Sequence, residues 1–267
     1  MRPFLAFDGS TDHVALALGD LDAPETLLAA DDFTAPRAAN TALLPAAERL
    51  LARGGLVPSA LHAVAVGRGP GSFTGVRIAV AAAKGLAHGA RIPLAGFGTL
   101  DAVAWRVRQG GLLGILGDAM RGEVYPALFR ARAGSVERLA ADRVALPADV
   151  AREWAGHTER ILLAGPGLHK HRKVFEEALG ERAVLADESL WVPDGRGVLA
   201  AAWADRGDLS VSAIAGLSAD DAYRLAHPQR LLPVYTRLSD AEEAERLRLG
   251  GASEVPDAGV AGPEDRR

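Results

Sequence analysis

Residues 64–89 read VAVGRGPGSFTGVRIAVAAAKGLAHG, which predicts a buried strand, a glycine-rich turn and one long helix of small side chains. A glycine-rich turn before a helix can hold an anion, because free N–H groups and the positive end of the helix dipole point the same way. In the helix, Gly75, Ala79, Ala83 and Ala87 recur every four residues. One helix face therefore has almost no side-chain bulk, and a second helix can pack against it closely. The segment indicates a ligand site at its turn or a partner site on its helix.

The composition limits the class of protein. The chain has 267 residues, 49% of them hydrophobic, which suits one large domain or two smaller lobes. A formal net charge of -4 argues against a nucleic-acid binder that acts alone. The absence of cysteine excludes disulfides, thiolate catalysis and cysteine-based zinc sites.

The sequence predicts a cytoplasmic protein that does not associate with a membrane. The N-terminal MRPFLAFDGS reaches an acidic residue too soon for a secretory signal. No apolar run approaches the roughly 20 residues that a membrane span needs.

Hydrophobic periodicity predicts the same order of elements twice: three strands, a helix, a strand, a helix, a strand and a helix. The predicted strands are 4–8, 14–18, 26–30, 61–66 and 92–95 in the first half, and 112–116, 124–130, 136–139, 161–164 and 183–185 in the second. This order matches an α/β, actin-like (ASKHA, sugar-kinase and Hsp70-type) fold, with two similar lobes of mixed sheet flanked by helices. A nucleotide usually sits in the cleft of such folds.

The predicted boundaries divide the chain into four parts. They are an N-terminal lobe over 1–109, a second lobe over 110–207, a helical extension over 208–249 that returns to the first lobe, and a disordered tail over 250–267. The tail contains few apolar residues that could anchor it.

Two turns carry candidate phosphate-binding residues: residues 8–11 after the first strand, and residues 67–75, which we call the glycine turn. Asp118 in the second half of the chain is a further candidate. Either turn can instead be purely structural, with hydroxyl and carboxyl groups satisfying backbone donors and Ser72 capping the helix. The candidates are Asp8, Ser10, Thr11, Gly69, Gly71, Ser72, Thr74 and Asp118.

Known catalytic motifs do not fit. No Gly-Lys-Ser/Thr follows the glycine turn at the spacing of a Walker A loop, and the third glycine of a dinucleotide fingerprint is missing. No histidine forms H-E-x-x-H, so no metal site is predicted, and Ser72 has no assignable histidine base. Asp118 can pair with Glu123 as a second carboxylate, or join Arg121 and Glu123 in salt bridges.

Four segments together resemble the TsaB (YeaZ) family of tRNA threonylcarbamoyladenosine biosynthesis proteins. They are FLAFDGST, the 64–89 segment, GDAMRGEVYPALF and LLPVYTRLSDAE. The resemblance implies the actin-like fold and a non-catalytic scaffold that activates the catalytic subunit TsaD, its paralogue, with the ATPase TsaE joining the complex. The complex transfers a threonylcarbamoyl group to the adenosine beside the anticodon of tRNAs that read ANN codons.

The resemblance also implies an interface on the first two helices of the N-terminal lobe. Its residues would be Leu43, Leu44, Ala47, Leu50, Leu51, Gly75, Val76, Ala79, Val80 and Ala83. Two points stay open: whether the chain forms a homodimer through the same helices, and whether a nucleotide sits at the complex interface. No tightly bound cofactor is expected, and tRNA would be bound through the complex. The chain departs from the family at Ala39, where many members carry a histidine, and at Asp8-Gly9-Ser10-Thr11 in place of DTST.

Two other functions remain as alternatives. An ATP-dependent transferase or kinase-like enzyme would use Asp8, the glycine turn and Asp118. A peptidase is the weakest alternative, because neither a metal site nor a catalytic triad is visible.

Overall fold

The computed structural model describes residues 1–36, 39–205 and 207–234, together with Thr236 and Arg248. The predicted charged helix after Val234 and the predicted disordered tail lie outside these residues, apart from Thr236 and Arg248.

The first lobe is built on a five-stranded mixed sheet in the order β3-β2-β1-β4-β5. A meander of three antiparallel strands forms one side, and β4 and β5 run parallel to β1 on the other. The strands are β1 (Pro3–Asp8), β2 (His13–Asp20), β3 (Ala23–Thr34), β4 (Ala63–Gly67) and β5 (Leu94–Phe97).

The second lobe repeats this topology in the order β8-β7-β6-β9-β10. Its first three strands are again antiparallel, and β9 and β10 again run parallel to β6. The strands are β6 (Gly111–Asp118), β7 (Val124–Arg132), β8 (Ser135–Arg138), β9 (Ile161–Ala164) and β10 (Ala183–Leu185). The predicted duplication of one mixed-sheet lobe is confirmed.

Helices cover both sheets. They are α1 (Ala39–Arg53), α2 (Phe73–Ala90), α3 (Thr99–Val107), α4 (Pro147–Trp154), α5 (Leu168–Leu179), α6 (Gly195–Ala204), α7 (Val211–Ile214) and α8 (Ala219–Leu225). None of the described helices is long and apolar enough to cross a membrane.

The first sheet is buried on both faces, which explains why its strands read as continuous apolar runs. One face packs against α1 and α2 in a cluster that includes Leu16 and Leu50. The other face packs against α6 and Ala102 of α3. Leu100 and other side chains of α3 belong to the core of the second lobe, so α3 lies between the lobes.

The chain returns to the first lobe earlier than predicted. Helix α6 begins at Gly195, inside the segment assigned to the second lobe, yet Val198 and Leu199 pack with Phe4 of β1. The physical reason is that the side chains of α6 are mostly apolar and must be buried. The face of the first sheet that α1 and α2 leave uncovered provides that site. The return therefore begins at residue 195 rather than at 208.

The core role of α1 can be tested with two leucines of the same helix. Leu50 is fully buried, whereas Leu44 is 48% exposed. We expect Leu50→Ala to lower the free energy of unfolding by about 2–5 kcal/mol, because it leaves a cavity under the helix. Leu44→Ala, the matched control, should change it by no more than about 0.5 kcal/mol. Urea unfolding followed by circular dichroism measures both, and equal effects would contradict the burial of Leu50 under α1.

Candidate functional site

Asp8 ends β1 and is bound entirely by side chains and backbone of its own lobe. Its carboxylate is fully buried. Oδ1 accepts hydrogen bonds from the backbone N–H of Ser10 at 2.9 Å and from its hydroxyl at 2.6 Å, and Oδ2 accepts one from the Thr99 hydroxyl at 2.5 Å. Burial raises the pKa of Asp8, although these hydrogen bonds act in the opposite direction.

Thr99 connects this carboxylate to the glycine turn. Its hydroxyl accepts a hydrogen bond from the backbone N–H of Gly69 at 3.2 Å, and its own N–H donates to the Gly69 carbonyl at 2.9 Å. The ends of β1, β4 and β5 are thereby joined through one threonine.

The glycine turn meets the β1–β2 turn backbone to backbone. Ser72 N–H donates to the Ser10 carbonyl at 2.7 Å. A Cβ on Gly71 would lie 2.6 Å from that carbonyl oxygen, and one on Gly75 would lie 2.4 Å from the carbonyl oxygen of Gly9. These distances are far too short for any side chain, so the chain's own packing requires glycine at both positions.

The side chain of Ser72 caps the N-terminus of α2. The Ser72 hydroxyl accepts from Gly75 N–H at 3.2 Å, and the Ser72 carbonyl accepts from Val76 N–H at 2.9 Å. The structural interpretation of Ser72 as a helix cap is confirmed.

The remaining phosphate-turn candidates do not join this cluster. Thr11 exchanges hydrogen bonds with the backbone of His13, and Thr74 is exposed. Asp118 accepts from Met120 N–H at 2.9 Å and from Lys170 Nζ at 2.6 Å. Asp118 is thus held by α5 of its own lobe, a partner that sequence spacing did not indicate.

The predicted interface residues of α1 and α2 lie mainly inside the lobe. All except Leu44 are buried in this chain, where they pack against the first sheet and against each other. The inner face of α2, with Gly75, Ala79, Ala83 and Ala87, needs small side chains because α1 and β4 pack against this helix. Direct contact of Ala79 or Ala83 with another chain is therefore incompatible with this fold, and the prediction is corrected for these buried positions.

The opposite side of α2 faces outward and also carries small residues. We call Ile78, Ala81, Ala82, Gly85 and Gly89 the outer face of α2; of these, Ala81, Gly85 and Gly89 are exposed, and Ile78 and Ala82 are half-buried. A Cβ on Gly85 would meet nothing within 4 Å. The chain's own packing does not require a glycine there, in contrast to Gly75.

Neither Thr99 nor the outer face of α2 is among the residues predicted from the sequence. Thr99 comes two residues after the end of β5, which lies beside β4 in the sheet. A prediction of the strand order would therefore have placed its hydroxyl near the glycine turn. The outer face has the same four-residue spacing as the buried one, at Ala81, Gly85 and Gly89. Spacing alone does not tell which of two small-residue faces points inward.

Two lobes with one strand order, joined through α3 and α6, define an α/β protein of the actin-like class. A family model described as TsaD, tRNA N6-adenosine threonylcarbamoyltransferase, matches residues 34–184, more than half of the chain. The solved structure of YeaZ from Pseudomonas aeruginosa is 30% identical, with a TM-score of 0.67, and the match covers 88% of this chain and 100% of that one. The chain belongs to the TsaB (YeaZ) family.

Curated relatives carry the name tRNA threonylcarbamoyladenosine biosynthesis protein TsaB. The protein of Bacillus subtilis is 32% identical over 143 residues, covering 53% of this chain and 62% of that protein. The protein of Escherichia coli is 37% identical over 131 residues, covering 47% and 54%. The matched part of this chain thus spans less than two thirds of the length of either relative.

The buried carboxylate predicts a pH-dependent stability. Because the pKa of Asp8 is raised above its ordinary value of 3.8, the folded chain holds more protons than the unfolded chain just above that pH. The contribution of Asp8 to the free energy of unfolding must then fall as pH rises. We expect the stability of the wild-type protein relative to Asp8→Asn to decrease when urea unfolding is repeated from pH 4 upward.

The exposed Asp12 provides the matched control, since Asp12→Asn removes a carboxylate from the same turn without touching the buried network. This control should keep the pH slope of the wild-type protein. A relative stability of wild type over Asp8→Asn that increased with pH would contradict the assigned direction.

Proposed function

We propose that this chain is a scaffold and activating subunit of the complex that forms N6-threonylcarbamoyladenosine in tRNA. It binds a TsaD-type catalytic subunit, with which a TsaE-type ATPase associates, and meets tRNA through that complex. The names of its curated relatives and the TsaD family model support this role in tRNA modification.

The outer face of α2 is the observation that carries the proposal. Glycine inside a helix is about 1 kcal/mol less favourable than alanine. Gly85 lies inside the 18-residue helix α2 and so lowers its stability. The space above Gly85 is open, so alanine would fit there in the free chain. A second chain whose helix approaches the backbone closely gives such a glycine a role, and Leu44 on α1, 48% exposed, supplies apolar surface on the neighbouring helix.

The geometry around Asp8 supports a subunit without its own active site. A kinase-like mechanism needs this carboxylate accessible to a phosphate or its metal ion. Here both carboxylate oxygens are occupied by Ser10 and Thr99, and the glycine turn lies against the β1–β2 turn. The ATP-dependent enzyme is therefore the less favoured function.

Arginine substitutions on the outer face separate binding from folding. We expect Ala81→Arg and Gly85→Arg each to weaken the affinity for the TsaD-type subunit of the same organism at least about tenfold. Both positions are exposed in the free chain, so neither variant should lower its melting temperature. Gly85→Arg should even raise it slightly, because arginine favours helix more than glycine does. Titration by surface plasmon resonance and thermal melting by circular dichroism give the two readouts.

Ala178→Arg is the matched control, since Ala178 is an exposed alanine on α5 of the second lobe. It should bind like the wild-type chain. Undiminished binding by both outer-face variants would refute the proposed interface. If the same variants also convert a dimer of the free chain into monomers, as light scattering would detect, the homodimer uses this face as well.

A further inference from the structure

Helix α2 contains basic side chains and no acidic one. Arg77 and Lys84 lie within the helix, and Arg91 caps its C-terminus. Successive members of this set are seven residues apart, which is close to two helical turns, so they follow one line along the helix. Arg77 and Lys84 lie four and three residues from Ala81, which makes them its neighbours on the helix surface. We call Arg77, Lys84 and Arg91 the basic row; it runs along one edge of the outer face.

The charge of this side of the first lobe is opposite to that of the whole chain. Residues 39–97, which include α1 and α2, contain one acidic residue, Glu48, and six basic ones. The whole chain has a formal net charge of -4. Apart from Arg68, which bonds to the backbone carbonyl of Leu232, the six basic residues lie on α1, on α2 or at the end of α2. Positive charge is therefore concentrated on the helical layer that bears the outer face.

The chain's own carboxylates do not neutralise the basic row. Among the described residues, neither Lys84 nor Arg91 forms an ion pair or a side-chain hydrogen bond. Two arginines of α1, in contrast, each lie 3.9 Å from Asp31 of β3. Glu48 is the only exposed carboxylate on the elements that make the main contacts with α2. These elements are α1, β1, β4, β5 and the short turns Pro58–Ala60 and Pro228–Arg230.

Helix stability does not explain this pattern of charge. Acidic side chains stabilise the N-terminus of a helix, and basic side chains stabilise its C-terminus. Within the basic row, only Arg91 lies where the helix dipole favours it, and the first turn of α2 has no acidic residue. Opposite charges three or four residues apart would also stabilise the helix, but α2 has none.

The outer face favours a protein helix over a nucleic acid as its partner. Ala81, Gly85 and Gly89 let a second helix approach the backbone closely, and binding of phosphates would not need such small residues. Single-stranded RNA is bound largely by aromatic rings on which its bases stack. Phe73, the aromatic residue of α2, is half-buried, and the guanidinium carbon of Arg77 lies 3.7 Å from the centre of its ring.

We propose that the segment of the catalytic subunit that docks on the outer face of α2 is an acidic helix, with its carboxylates along Lys84 and Arg91. Surfaces of opposite charge accelerate association and fix the orientation of the partners. The basic row thus selects the partner and its orientation, and the small residues set the distance of approach. This inference rests on the proposed function, because it describes the partner's side of that interface.

Association rates of a charge-reversed variant test the inference. Lys84→Glu combined with Arg91→Glu should lower the association rate constant for the TsaD-type subunit of the same organism at least about tenfold at about 50 mM salt. Raising the salt to about 500 mM should slow the wild-type chain and bring the two rate constants together, because salt screens exposed charges. Surface plasmon resonance measures the rate constants.

The matched control reverses two charges on the second lobe. Lys173→Glu combined with Arg160→Glu changes two exposed basic residues and alters the net charge by the same amount. It should associate like the wild-type chain. Lys84→Gln combined with Arg91→Gln should lose an intermediate part of the rate. Thermal melting by circular dichroism shows that each variant is folded.

Three other outcomes would overturn the inference. Equal rate constants for the reversed variant and the control, while Gly85→Arg still weakens binding, would refute it and leave the proposed function intact. An unchanged association rate together with lost binding of tRNA to the reversed variant, titrated without the catalytic subunit, would assign the basic row to RNA instead. Absence of binding between the wild-type chain and the catalytic subunit would refute the proposed function, and this inference with it.

Discussion

The contact between the β1–β2 turn and the glycine turn is the constraint on which the first lobe depends. Three parallel strands end at the same edge of the sheet, and their ends are joined by hydrogen bonds from Thr99 to Asp8 and to Gly69. Since a Cβ on Gly71 or Gly75 would overlap the opposing backbone, this contact forms only with glycine at both positions.

This contact also determines the direction of α2. Ser72, in the glycine turn, caps the helix, so the helix starts at a defined place and runs back along the sheet. The inner face, with Ala79, Ala83 and Ala87, then lies against the sheet and α1. The outer face, with Ala81 and Gly85, is left to solvent. The helix thus has small residues on two faces for two different reasons.

Much of this fold is readable from the sequence, because the repeated order of strands and helices follows from hydrophobic periodicity. The cap at Ser72 and the close packing of the small residues are also local patterns. The hydrogen bond between Asp8 and Thr99 joins residues 91 positions apart, and no local pattern contains it. Likewise, the return of α6 to the first sheet depends on which face is still uncovered. The inward or outward direction of a small-residue face is set by such long-range packing, and four-residue spacing alone does not contain it.

In the proposed function, the glycine turn is structural and the chain supports the reaction of the complex without catalysing it. The direct measurement is the rate of tRNA threonylcarbamoylation by the reconstituted complex with the wild-type chain, with Asp8→Asn and without the chain. We expect the reaction to need the chain, and Asp8→Asn to support it at close to the wild-type rate. A complex that assembles normally with Asp8→Asn but modifies tRNA no faster than in the absence of the chain would contradict it.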